Sequence, residues 1–133
     1  MFNILIMDPD HYVKNGLFSY LKFPGVNVMV VSNLGDLTIN LKNNHIHVVV
    51  MELFSRDDDV FHSIEFVRNF HVEWPEQHLI IYTQLKNENA ICLLKAVTGV
   101  NDIFYKNEQM KKLANCISSS LKRRVNKLSL IGE

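Results

Sequence analysis

The sequence has little of what would mark an unusual class of protein. It contains two cysteines, three prolines and five glycines among 133 residues, which excludes a disulfide scaffold and a collagen-like or low-complexity chain. Lysine plus arginine equals aspartate plus glutamate at 14 each, and this zero formal charge argues against bulk binding of nucleic acid. The apolar content of 47% is ordinary, and the length predicts a single domain with one substantial core.

Targeting, membrane and metal-binding signals are also missing. The apolar stretch at residues 1–7 is short, lacks a preceding basic region and meets Asp8, so it is not expected to be a signal peptide. No apolar run approaches the roughly 18 residues that a membrane span requires. The cysteines and the six histidines lack ligand spacing, so we expect no metal, no cofactor and a reducing, cytoplasmic location.

Five short apolar segments alternate with longer amphipathic ones. The apolar segments are residues 4–7, 27–31, 47–53, 78–82 and 103–105. Strands buried on both faces of a parallel sheet are continuously apolar in this way. In the segments between them apolar residues recur at helical spacing, as in Phe61, Ile64 and Val67, over the ten or so residues of a helical crossover. The pattern predicts a (βα)5 fold, an open parallel sheet with helices on both faces.

The candidate pocket residues stand at or just after the ends of the apolar segments. Asp8, Pro9 and Asp10 follow the first segment, Glu52 lies near the end of the third, Thr83 stands at the end of the fourth, and Lys106 follows the fifth. Because the carboxyl ends of parallel strands lie at one edge of the sheet, we expect the acids, the hydroxyl and the lysine to meet there. The sequence therefore predicts a candidate site at that edge.

This set, in this order, resembles the receiver domain of two-component response regulators. The strings ILIMDPDHYVKNGL, VVVMEL, LIIYT and TGVNDIFYK look like the family's first strand and helix, third strand, fourth strand and fifth strand. The resemblance covers residues 1–122. It implies a CheY-like, flavodoxin-type sheet in the order 2-1-3-4-5 and a regulatory domain without enzymatic activity of its own.

Departures from the family pattern bear on the chemistry. Glu52 stands at the phosphoacceptor position instead of aspartate, Pro9 replaces the second acid of the first pair, and Ile103 replaces the aromatic switch residue. Asp10 lies one residue further along and would compensate only in part. Since in-line transfer is sensitive to misplacements of about 1 Å and Mg²⁺ requires octahedral oxygen ligands, we expect no useful phosphorylation and weak Mg²⁺ binding.

Two interpretations of Glu52 remain open at this point. In the first, its longer side chain carries the negative charge towards Lys106 and Thr83 and imitates a phosphorylated aspartate. In the second, it is inert and pairs with Lys106, a partly buried ion pair that adds little net stability. Both interpretations expect Glu52 and Lys106 to lie within ion-pair reach.

The resemblance also suggests a type of regulator. The first helix and the turn before the fifth strand look most like NarL/FixJ regulators, whose DNA contacts come from a C-terminal LuxR-type helix-turn-helix domain. Residues 123–133 would then begin a linker towards such a domain outside this chain. A receiver that has lost its acidic pair and phosphoacceptor resembles auxiliary regulators of the RcsA and BglJ type, which pair with a phosphorylatable partner of the RcsB kind.

Three alternatives to that interpretation stay open. The chain could be a stand-alone interaction module, or a receiver with unorthodox phosphorylation at Asp8 or Asp10. It could also be a different flavodoxin-like domain that binds a small ligand or nucleotide. The last is disfavoured because no glycine-rich loop follows the first strand and the acids there would repel a phosphate.

A homodimer, or a heterodimer with a related regulator, requires an exposed contact surface. In the first helix Phe18 lies off the expected core stripe with Lys14 on the same side, a typical interface anchor beside a cation. In the fourth helix the apolar run is too long for one buried face, so Leu93 should point outwards. Cys116 and Ser120 of the fifth helix complete the candidates, and the pairing of the first with the fifth helix is favoured slightly.

Overall fold

The computed structural model describes residues 1–55, 57–106 and 109–132, with side chains as far as Arg124. The strands are β1 Phe2–Met7, β2 Val26–Val31, β3 Val48–Met51, β4 His78–Thr83 and β5 Ile103–Tyr105. The helices are α1 His11–Tyr20, α2 Leu34–Asn43, α3 Val60–Glu73, α4 Glu88–Thr98 and α5 Met110–Gly132. Strands and helices alternate strictly along the chain, as the sequence predicts.

The five strands form one parallel sheet in the order β2-β1-β3-β4-β5. β1 pairs with β2 over its full length, from Phe2 opposite Val26 to Met7 opposite Val31. The predicted fold class and strand order are therefore confirmed. The central strand β3 is buried at all four positions, which explains why its sequence is a continuous run of apolar residues.

Helices cover both faces of the sheet. Side chains of one face pack against α2, α3 and α4 in a cluster that includes Leu5, Val49 and Phe70. Alternate side chains of the same strands, such as Ile4 and Val50, pack with α1 and α5 on the other face. The side chains of β1 and β3 thus alternate between two apolar layers, and α1 and α5 share a face.

The buried stripe of α3 differs from the one that the sequence predicts. The prediction places Phe61 on it, but this ring is 75% exposed. The residues of α3 that the sheet buries are Ser63, Val67 and Phe70. Apolar side chains on both sides of this helix blur the helical period, so the stripe is rotated towards Phe70, which packs with Phe66 and Trp74.

Short polar side chains fix where the helices begin. Asp10, Asn33, Asp59 and Asn87 accept hydrogen bonds from backbone N–H groups in the first turns of α1, α2, α3 and α4. These groups would otherwise lack partners within the helix. At the other end of α4, Gly99 adopts a left-handed conformation with φ of 78°. Glycine adopts this conformation without the strain of a Cβ atom, so α4 ends at that residue.

The last helix continues past the predicted end of the receiver-like region. The backbone of α5 remains helical from Met110 to Gly132, across residues 122 and 123. The division into residues 1–122 and a linker from 123 stays a prediction, and the side chains of residues 125–133 lie outside the described part. Among the described residues, no helix combines the length and apolar character needed to cross a membrane.

Candidate functional site

Three charged side chains reach the same edge of the sheet because each directly follows a strand. The N–H of Asp8 extends the β1–β2 ladder by donating to the carbonyl of Val31 at 3.1 Å. The N–H of Glu52 donates to the carbonyl of Met7 at 3.0 Å, and that of Lys106 donates to Thr83 at 2.8 Å. Main-chain hydrogen bonds from the sheet therefore position all three residues.

The ammonium group of Lys106 lies between two carboxylates. Its Nζ is 2.8 Å from Oδ2 of Asp8 and 3.1 Å from Oε1 of Glu52. The side chains are 10%, 3% and 2% exposed, respectively, so water contributes little to solvating these charges. The expected ion pair between Glu52 and Lys106 is present, and Asp8 completes a buried triad of two acids and one base.

Both carboxylate oxygens of Glu52 are engaged. Oε2 accepts a hydrogen bond from the N–H of Leu53 at 2.8 Å, while Oε1 accepts one from the N–H of Gln84 at 3.0 Å as well as contacting Lys106. The contact with Gln84 links the end of β3 to the segment directly after β4. Sequence reasoning missed both partners because every residue except proline has a backbone N–H group, so residue type does not reveal which of them will donate.

The triad perturbs the proton affinities of its members. Burial raises the pKa of Asp8 above its ordinary value, and the neighbouring Lys106 only partly opposes this shift. Burial alone would lower the pKa of Lys106, but Asp8 and Glu52 together outweigh it and raise that pKa. The lysine therefore remains charged throughout the physiological range.

The acids after β1 have separate roles. Oδ1 of Asp8 accepts from the N–H of Asp10 at 2.8 Å, and its other oxygen contacts Lys106. Oδ1 of Asp10 caps α1 by accepting from Tyr12 at 2.8 Å. The sequence predicts that Asp10 replaces in part the acid that is missing at Pro9. Its carboxylate already caps α1, so the two roles would compete.

An open cavity of about 470 Å³ lies above the triad. Its lining includes Asp8, Pro9, Asp10, Glu52 and Lys106, so the structure brings together five of the six predicted pocket residues. The sixth, Thr83, is fully buried beneath it, and its Oγ1 accepts from the N–H of Leu85 at 3.2 Å. Glu52 reaches the end of β4 through the backbone of Gln84 instead of through this hydroxyl.

The two sides of α1 face different neighbours. The side chain of Lys14 is buried, and its Nζ donates to Oγ of Ser32, directly after β2, at 2.8 Å. This corrects the expectation that Lys14 is exposed beside Phe18. A Cβ atom on Gly16 would lie 3.6 Å from the side chain of Met110 in α5, so that side of α1 faces α5. Phe18, 40% exposed, is four residues from Lys14 and so lies on the β2 side.

The other surface candidates differ in exposure. Leu93 of α4 is 65% exposed, as predicted, and Val97 one turn later is exposed as well. Both line an apolar cavity of about 240 Å³ between α3 and α4. Cys116 is only partly exposed, and Ser120 is buried, which corrects its assignment as a surface residue of α5.

Solved structures of other proteins share this fold. The isolated receiver domain of RcsB from Salmonella enterica serovar Typhimurium in the apo form superimposes with a TM-score of 0.74 at 21% identity, over 92% of this chain and 89% of that one. A CheY-like receiver domain protein from Methanospirillum hungatei gives 0.78 at 17% identity, over 96% and 98%. The fold is that of a receiver domain.

The likeness extends to longer regulators but is confined to the fold. An RcsB–DNA complex matches with a TM-score of 0.76 at 21% identity, and the chain covers 60% of that protein. No family model matches the sequence, and no curated protein matches it either. The receiver fold is therefore established by structure, whereas the chemistry of the pocket depends on the residues of this chain.

Proposed function

We propose that the chain is a receiver-like regulatory and dimerisation domain of a bacterial transcription regulator, and that it acts without being phosphorylated. The domain has no enzymatic activity in this proposal and works in the cytoplasm, in keeping with its two free thiols. The receiver fold, with a candidate site at the carboxyl ends of its strands, supports this proposal.

The observation that carries the proposal is the position of Lys106 between Asp8 and Glu52. A divalent cation that bridged these carboxylates would have to displace an ammonium group that lies 2.8 and 3.1 Å from them. Pro9, next to Asp8, has no side-chain oxygen to offer such an ion. We therefore infer weak Mg²⁺ binding and poor acceptance of a phosphoryl group.

Of the two interpretations of Glu52, the contacts favour the phosphoaspartate mimic. A carboxylate that only neutralised Lys106 would need no contact with the segment after β4. Glu52 also accepts from Gln84, so its charge holds together the segments that follow β3, β4 and β5. These segments lead into the helices of the domain, and we infer that Glu52 fixes them permanently in one arrangement.

The partner in this proposal is a second copy of the chain or a related response regulator of the RcsB kind. The departures of the site resemble those of auxiliary regulators of the RcsA and BglJ type. Contact with DNA would come from a LuxR-type helix-turn-helix domain beyond residue 133. The likeness to a regulator solved as an RcsB–DNA complex supports this part of the proposal.

We propose α4 as the pairing surface, with Leu93 as its anchor. Leu93 and Val97 are one helical turn apart, and both are exposed beside an apolar cavity. An exposed apolar pair of this kind is a typical interaction site when it adjoins a cavity. Phe18 is less exposed and lies on the far side of α1 from α5, so it is the weaker candidate.

Sedimentation velocity on the whole chain, alone and with an RcsB-type regulator, tests the proposal. The association constant for self-association should be the same with and without acetyl phosphate and Mg²⁺. Glu52→Gln removes the charge at nearly constant volume and should weaken pairing about tenfold, because only one of its two terminal atoms can still accept hydrogen bonds. Leu93→Ala should weaken pairing by a similar factor.

Matched controls separate pairing from folding. Glu65→Gln changes an exposed acid of α3, and Phe18→Ala changes the alternative surface. Both should pair like the unmodified chain. Self-association that requires the phosphoryl donor would support unorthodox phosphorylation instead. Pairing that is indifferent to Glu52→Gln would leave Glu52 as an inert partner of Lys106.

A further inference from the structure

A second cluster of polar side chains lies at the opposite edge of the sheet from the Asp8–Glu52–Lys106 triad. It contains His78, the first residue of β4, Asp102, which directly precedes β5, and Cys116 of α5. One nitrogen, one carboxylate oxygen and one sulfur atom of these residues all lie within 4.8 Å of one another. The role proposed for the domain makes no use of this cluster.

The fold brings the three residues together from distant positions. Side chains alternate along β4, so His78 lies on the same face as Ile80 and Tyr82, which pack with α1 and α5. Asp102 is fixed by its carbonyl, which accepts from the N–H of Ile81 at 2.8 Å. Cys116 packs at the margin of the same apolar cluster.

The side chains already contact one another through their polar atoms. Nε2 of His78 is 2.5 Å from Oδ2 of Asp102, and Sγ of Cys116 lies within 4.8 Å of the polar atoms of both side chains. The other ring nitrogen, Nδ1 of His78, is buried and has no hydrogen-bond partner among the residues that the structure describes. All three residues are partly exposed, so solvent and ions can reach the cluster.

We propose that His78, Asp102 and Cys116 form a binding site for Zn²⁺. Imidazole, carboxylate and thiolate are all established ligands of this ion, whereas Mg²⁺ and Ca²⁺ prefer oxygen alone. Three protein ligands leave a fourth tetrahedral position for water, on the side where Asp102 is exposed to solvent. This proposal does not depend on the function proposed for the other edge of the sheet.

The geometry requires only small adjustments. Bonds of about 2.0–2.3 Å in a tetrahedral site place ligand atoms roughly 3.3–3.8 Å apart. The contact between His78 and Asp102 must therefore open by about 1 Å, and the widest separation in the cluster must close by at most about that much. Rotation of side chains at a half-exposed site can supply such shifts.

Binding of Zn²⁺ requires Cys116 and His78 to change their protonation. Cys116 loses its thiol proton to solvent and binds as thiolate. Nε2 of a neutral His78 gives up the hydrogen that it donates to Asp102, and Nδ1, which has no hydrogen in that tautomer, takes one up. One proton is thus released for each Zn²⁺ bound. The bound ion would fasten α5 to the starts of β4 and β5.

Titration of the whole, untagged chain with Co²⁺, followed by competition with Zn²⁺, tests the site. Co²⁺ should bind with a stoichiometry of one and produce a thiolate-to-cobalt charge-transfer band in the near ultraviolet, and Zn²⁺ should remove the band. Cys116→Ser should abolish the band, and His78→Gln and Asp102→Asn should each weaken binding by at least about tenfold.

Cys92→Ser is the matched control, because Cys92 is an exposed thiol of α4 outside the cluster. It should leave the spectrum and the affinity unchanged. Far-UV circular dichroism checks that each variant is folded. If His78→Gln is not folded, Asp102→Asn, whose side chain has nearly the same shape as that of aspartate, provides the test. Binding of Co²⁺ without the band, or a band that survives Cys116→Ser, would overturn the proposal.

Discussion

Replacing Lys106 by methionine removes the cation between Asp8 and Glu52 while keeping a long, flexible side chain at that position. The two carboxylates are 3% and 2% exposed, so they would be left buried without a counter-charge. Removal of one partner from a buried ion pair typically costs about 3–5 kcal/mol of unfolding free energy. We expect Lys106→Met to lie in that range at pH 7.

The loss of unfolding free energy caused by Lys106→Met should depend on pH, because the buried Asp8 carboxyl binds a proton as the pH falls. Burial raises the pKa of Asp8, and without the lysine nothing opposes this shift, so the folded chain holds a proton on Asp8 at higher pH than the unfolded chain does. The folded state therefore binds more protons in the window above the ordinary aspartate pKa of 3.8, and its stability falls as the pH rises. The difference from the unmodified chain should be clearly smaller at pH 4.5 than at pH 7.

Urea unfolding followed by the fluorescence of Trp74, which packs against the core, measures both quantities. Lys112→Met is the control, because Lys112 is an exposed lysine of α5. It should change the unfolding free energy by less than about 0.5 kcal/mol. A cost below about 1 kcal/mol for Lys106→Met, or a cost that is equal at both pH values, would refute the buried triad.

Three further predictions test other parts of the fold. Burial, with Arg124 nearby, lowers the pKa of His47 from 6.5 to about 4, so stability should fall as the pH drops through that window, as urea titrations at several pH values would show. His47→Gln should flatten this dependence; an unchanged slope would contradict the assignment. Asp10→Ala removes the cap of α1 and should cost about 1 kcal/mol of unfolding free energy, a prediction that a loss near zero would rule out. Gly99→Ala places a Cβ at φ of 78° with open space around it, and thermal unfolding should show a loss of about 1 kcal/mol from backbone strain alone.

The fold could be predicted because its strands are buried on both faces. Residues 48–51, Val-Val-Val-Met, are continuously apolar, and that pattern leaves a central parallel strand as the simple interpretation. Where burial is one-sided the sequence was less decisive. Phe61, which the sequence places in the buried stripe of α3, is exposed, because apolar residues flank that stripe on both sides.

The candidate site could be predicted in its residues but not in its contacts. Asp8, Glu52 and Lys106 directly follow β1, β3 and β5, which places them at one edge of the sheet, and the triad is found there. The N–H of Gln84 leaves no trace in the sequence. The cluster of His78, Asp102 and Cys116 was missed for a related reason: its members are 24 and 14 positions apart, and only the sheet register and α5 bring them together.

We expect the Asp8–Glu52–Lys106 triad to make this receiver fold independent of phosphorylation. Intact-protein mass spectrometry after incubation with acetyl phosphate and Mg²⁺, with a phosphorylatable RcsB-type receiver treated in parallel, measures this independence. The parallel receiver should gain a phosphoryl group while this chain keeps its mass unchanged. A phosphoryl adduct on this chain that maps to Asp8, Asp10 or Glu52 would contradict it.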